Sequence, residues 1–159
     1  MRRVTFLIFA PALAACLLAG PPSDAAAVYR DAVKGFQSAS GEAEVVNLLL
    51  NAEGDLPGSL NLSLRREANK VTGGSWTLTV LPAGDDPAAD ERGRLTGVVA
   101  GGALAFDGEG ALAGADSVQL TIRSGTGQYA RVNAGSAVVN LQTHDENRSQ
   151  LSGTLTLDF

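Results

Sequence analysis

From residue 44 onward, apolar and polar residues alternate with a period of two, the mark of strands that bury one face. Leu60, Leu62 and Leu64 are interleaved with Asn61, Ser63 and Arg65, and Trp76, Leu78 and Val80 with Thr77 and Thr79. Val118, Leu120 and Ile122 alternate with Gln119, Thr121 and Arg123. Ala137, Val139 and Leu141 repeat the pattern, as do Leu155, Leu157 and Phe159. Residues 44–50, 94–100 and 103–106 bring the expected total to about eight strands. The shared parity places Leu120, Ile122, Val139, Leu155 and Leu157 on the inward face, because a one-residue slip would expose all of them. Only residues 28–36 have a helical spacing, with Val28, Ala32 and Phe36 four apart.

Turn chemistry separates these runs. Gly54-Asp55-Leu56-Pro57-Gly58, Gly73-Gly74 and Gly101-Gly102 are chain reversals, and the acidic stretch 82–93 reads as a solvated loop. Many short strands with short connections predict an all-β chain, either a barrel or a sandwich, and closure removes the edges that invite aggregation. The expected fold is a small antiparallel up-and-down β-barrel of about eight strands, preceded by an N-terminal signal segment. Its expected divisions are 1–27 (signal), 28–43 (lead-in) and 44–159 (barrel). An outer-membrane barrel also alternates, but it needs aromatic girdles and strands of about 9–11 residues. After residue 27 the aromatics are only Tyr29, Phe36, Trp76, Phe106, Tyr129 and Phe159, and the alternating runs look shorter than that.

The start of the chain changes the picture. Arg2 and Arg3 precede an apolar run to Gly20 that is short for a membrane span of about 20 residues. This is an export signal, and it places the protein in the periplasm or outside the cell. Two processing routes stay open. Leu13-Ala14-Ala15-Cys16 resembles a bacterial lipobox, with Cys16 as the lipidation site and a lipid anchor to the envelope; Ala25-Ala26-Ala27 fits cleavage after small residues. Cleavage after Ala27 removes two of 12 basic and one of 17 acidic residues, so the net charge moves from −5 to 10 − 16 = −6. An acidic domain without a basic cluster excludes nucleic acid as an expected partner, since phosphate neutralisation supplies most of that affinity. Cys16 is the only cysteine, so no disulfide staples the domain.

The glycine-rich stretch "SGTGQYARVNAGSAVVNL" follows the alternating run 118–123. Gly125-Thr126-Gly127-Gln128-Tyr129, with Gly135 opening the next run, resembles a recurring segment of the allene oxide cyclase and dirigent barrels. The likeness extends to "GRLTGVVAGGALAF" and to the terminal "GTLTLDF" and covers about the last third of the chain. Ser124 stands where that family usually has its first Gly, and Gly135 lies six residues after Tyr129 where five is usual. The resemblance implies an eight-stranded barrel, an apolar small-molecule ligand, no cofactor and frequent trimers. Such barrels steer a reactive molecule by confining it. Read from its residues alone, the segment is a tight reversal, with Gly125 and Gly127 at positive φ and Tyr129 as an aromatic plug. A phosphate cradle would need a helix to follow, and here a strand follows.

Other chemistry is sparse. His144, the only histidine, lies in the polar loop "THDENRS", and one histidine with one cysteine supplies no zinc set. Asp107-Gly108-Glu109-Gly110 lacks the further oxygens of a calcium loop. No catalytic residue, metal ligand or cofactor is assigned. Trp76, Phe106 and Tyr129 are the candidates to line a ligand cavity, and each reads equally as core. Two functions follow: an exported non-catalytic binding or structural module of the envelope, or a cofactor-free cyclase, isomerase or dirigent-like protein acting on an apolar substrate. A polar pair on the inward face would favour the second.

Overall fold

The computed structural model describes residues 26–39, 42, 44–68, 70–82, 91–104, 106, 112–113, 115–144 and 147–159. It is a closed antiparallel barrel in which each strand pairs with its neighbours in sequence and the last pairs with the first. The strands are β1 (Val28–Ala39), β2 (Val45–Gly54), β3 (Gly58–Glu67), β4 (Lys70–Val80), β5 (Gly93–Gly102), β6 (Ala115–Gly125), β7 (Gly135–His144) and β8 (Asn147–Asp158). One 3₁₀ turn, Gly127–Tyr129, interrupts the β6–β7 connection.

Alternation places the leucines inside. Leu50 pairs with Leu60, Leu60 with Leu78, and Leu78 with Leu95, forming one belt around the interior. Val118, Val139 and Leu155 begin another belt that continues to Asp31 and Gly54. The five residues expected to face inward are all buried: Leu120, Ile122, Val139, Leu155 and Leu157. Full burial of each such side chain is worth about 1.5–3 kcal/mol, so the belts supply the stability that disulfides do not.

Three expectations are corrected. Residues 28–39 are neither helix nor lead-in but β1, which closes the barrel between β2 and β8. The strand expected at 103–106 is not seen in its described residues: β5 ends at Gly102, Ala103 and Leu104 lie outside any strand, and Phe106 makes an isolated bridge to Leu112. The strands run 10–12 residues, as long as membrane-spanning ones, so length does not separate the two kinds of barrel.

The outer wall carries polar pairs as well as the exposed apolar Val28, Phe36, Leu49 and Val98. Outward positions carry Asn47 beside Ser63, Asn61 beside Thr77, and Asn140 beside Thr154, where a membrane barrel would present an apolar band. No helix among the described residues is long and apolar enough to cross a membrane.

Candidate functional site

The three cavity candidates occupy three separate places. Trp76 lies inside the barrel and is 2% exposed. It pairs in register with Gly97, where an added Cβ would come within 2.6 Å of the indole nitrogen and would strike the Thr121 carbonyl. The bare glycine lets the indole cross β5, and Nε1–H donates to Thr121 O at 3.2 Å. The β5–β6 ladder shifts register here, between Thr96 and Gly97, which opens the sheet to that contact. Trp76 is therefore a satisfied core residue.

Phe106 closes one end of the barrel with Leu104 and Leu112, all three buried. The Arg66 guanidinium lies 5.7 Å from its ring centre, and the Leu112 N–H donates to Gln37 Oε1.

Tyr129 stands at the opposite end, where the first described residues and the last meet. Its ring meets Phe159 edge-on at 6.2 Å, and Phe159 stacks on Tyr29 at 4.9 Å. The plug is thus three rings rather than one. The glycine motif around Tyr129 is a turn docked on β5: the Thr126 and Gln128 N–H groups donate to the Arg94 and Arg92 carbonyls. Only Gly127 has the positive φ expected of both turn glycines, at 59°. Gly125 is instead required by contact, because a Cβ there would strike the Tyr129 backbone.

This end also holds a residue that pattern reading missed. Asp31 is 3% exposed, and among the described residues it is the one acidic or basic side chain that is buried. It occupies an inward position of β1, between Gly54 of β2 and Leu155 of β8. Gly54, at φ 153°, leaves space for it; a Cβ there would lie 2.7 Å from Asp31 Oδ1. The Leu56 N–H donates to Oδ1 at 2.9 Å, while Oδ2 is buried without a hydrogen-bond partner. Burial pushes the carboxyl above its ordinary pKa, the Leu56 N–H opposes that, and the neighbouring Asp55 charge adds to it. Burial likewise raises the Tyr129 phenol, against the pull of Arg92 and with smaller pushes from Tyr29 and Asp31. The signal was in the sequence: Asp31 shares the parity of Val33, and an acid on an inward parity is the anomaly to look for.

Asp31 and Tyr129 are the nearest approach to the inward polar pair that an enzyme would need. Leu56, whose N–H donates to the carboxyl, is itself only 4% exposed, and leucine and tryptophan occupy the barrel interior. An eight-stranded barrel has an interior just wide enough for side chains to fill.

A concavity of about 610 Å³ lies on the outer wall across β1, β8, β7 and β6. Lys34, Asn140, Gln142, Ser152 and Thr154 surround it over a floor that includes Ala32 and Gly153. Gln142 Nε2 donates to Ser152 Oγ at 3.2 Å, and Asn140 Nδ2 to Thr154 Oγ1 at 3.4 Å.

His144 is exposed at the end of β7, and no group of His, Cys, Asp and Glu among the described residues is placed to hold a metal ion. The Asp107–Gly110 acids, Cys16 and most of the acidic 82–93 loop lie outside the described residues. Comparison with protein-family models, with characterised proteins and with solved structures gives no match.

Proposed function

We propose that this chain is an exported, non-catalytic binding or structural module of the cell envelope, built as a solid barrel that presents its outer wall. The filled interior carries this reading. Leu48, Leu60, Leu62, Leu64, Leu78, Leu95 and Trp76 occupy the space that a substrate would need, and confinement catalysis requires a chamber. The outer groove is then the surface for recognition. Its amides and hydroxyls can both donate and accept hydrogen bonds.

The allene oxide cyclase and dirigent barrels remain the proposed relatives, on the strength of the strand–glycine turn–tyrosine segment and the eight-stranded closure. Trimer formation is part of that same proposal. The alternative function, cofactor-free isomerisation, has Asp31 and Tyr129 as its acid and phenol but lacks a chamber beside them.

Export is proposed from the Arg2-Arg3 start and the apolar run behind it. The two processing routes differ in one structural respect. Ala27 and Phe159 exchange both backbone hydrogen bonds, at 3.0 and 3.3 Å, so cleavage after Ala27 removes this pair and cleavage before Cys16 keeps it.

The test of the functional reading is titration of the folded protein with an apolar fluorophore such as 1-anilinonaphthalene-8-sulfonate. No saturable uptake is expected. Saturable uptake that quenches Trp76 would overturn the solid-barrel reading and revive the isomerase.

A further inference from the structure

We propose that Asp31 is a proton-operated latch: its protonated carboxyl sits sealed under the β2–β3 turn, and its ionisation frees that turn from the barrel end. The inference rests first on geometry. Four fastenings hold residues 55–57 against the barrel. Asp55 Oδ2 accepts from the Arg30 N–H at 2.8 Å, and Asp31 Oδ1 accepts from the Leu56 N–H at 2.9 Å. The Asp55 N–H reaches Arg30 O at 3.3 Å, and the Leu81 N–H donates to Pro57 O at 2.8 Å. Asp31 alone among these groups is buried in the apolar interior, with one oxygen bare.

A neutral carboxyl leaves a modest deficit there. A carboxylate leaves a charge with one oxygen bare, served by the Leu56 N–H and more weakly by the Asp55 N–H, where water would have given several hydrogen bonds. Among the described residues, no cation from a neighbouring element compensates for it. The turn brings Asp55, whose charge opposes that of Asp31. β8 brings Leu155, and β2 brings Gly54. The phenol of Tyr129 and, on Asp31's own strand, that of Tyr29 stand nearby, and Arg92 acts on Tyr129. The simplest way to hydrate Oδ2 is to lift Leu56, the buried residue whose N–H donates to the carboxyl.

The sign follows. Burial raises the folded-state pKa above the ordinary aspartate value of 3.8. The stability tied to this group is therefore complete below the unfolded-state pKa and is lost as pH rises through the folded-state one. Asparagine has the shape of the protonated carboxyl, so Asp31→Asn fixes the latch shut.

The experiment is amide hydrogen exchange of the full folded chain from acidic to mildly alkaline pH, in the wild type, Asp31→Asn and Asp55→Asn. The Asp31 carboxyl is titrated alongside by carbon NMR. After correction for intrinsic rates, opening at Leu56 should rise about tenfold for each pH unit between the ordinary aspartate pKa and the folded-state titration of Asp31, and level off above it. It should stay flat in Asp31→Asn; in Asp55→Asn, which removes the charge opposing that of Asp31, both the Asp31 titration and the rise in opening should move to lower pH. A Leu56 amide equally protected at every pH in the wild type overturns the proposal. So does an Asp31 titration at or below 3.8, or an Asp31→Asn chain that fails to fold, since the amide copies the form held to be locked.

Discussion

At the residue scale, the side chains that looked available for chemistry are held by packing. Trp76→Phe removes the donor to Thr121 O and leaves a gap beside Gly97, and the expected loss is about 2–4 kcal/mol in denaturant melts. Tyr129 is only partly buried, and its ring works with Tyr29 and Phe159. Tyr129→Ala should therefore cost about 1–3 kcal/mol, less than a fully buried aromatic, and Tyr129→Phe at most about 1 kcal/mol. A Tyr129→Phe variant that melts like the wild type but loses binding to a ligand would make the phenol functional instead. Asp31 shows where reading by pattern stops. The residue stands in plain view in the sequence, but its burial depends on which of two periods its segment follows.

At the element scale, alternation located β2 through β8, because each carries several large aliphatic residues on its inward parity. β1 does not. Its inward parity runs Tyr29, Asp31, Val33, Gly35, Gln37 and Ala39, with Val33 the one large aliphatic, while the apolar Val28 and Phe36 face outward, 53% and 51% exposed. The four-residue spacing of Val28, Ala32 and Phe36 therefore imitates a helix although the sheet makes this segment a strand. Tertiary closure decided it: without β1, strands β2 and β8 would both present open edges. A chain beginning at Glu44 is accordingly expected to aggregate or stay unfolded by circular dichroism and size-exclusion chromatography, whereas one beginning at Val28 should fold. A monodisperse, β-rich 44–159 fragment would contradict this account of closure. The candidate site was less legible still, since Asp31, Leu56, Tyr129 and Phe159 meet only once the ends of the barrel are brought together.

At the scale of the whole molecule, the central claim is that the barrel is solid. A leucine belt and a buried tryptophan fill the interior, Phe106 with Leu104 and Leu112 closes one end, and the three-ring cluster closes the other. Truncating the belt should create space that the native protein lacks: Leu155→Ala is expected to cost about 2–5 kcal/mol and to leave an apolar cavity. The most direct measurement is therefore uptake of xenon or benzene by the folded protein, followed by shifts of the interior methyl resonances, with Leu155→Ala as the positive control. The account predicts saturable uptake in Leu155→Ala and none in the wild type. Saturable uptake by the wild type, mapped to Leu62, Trp76 and Leu155, would show an open lumen and contradict it.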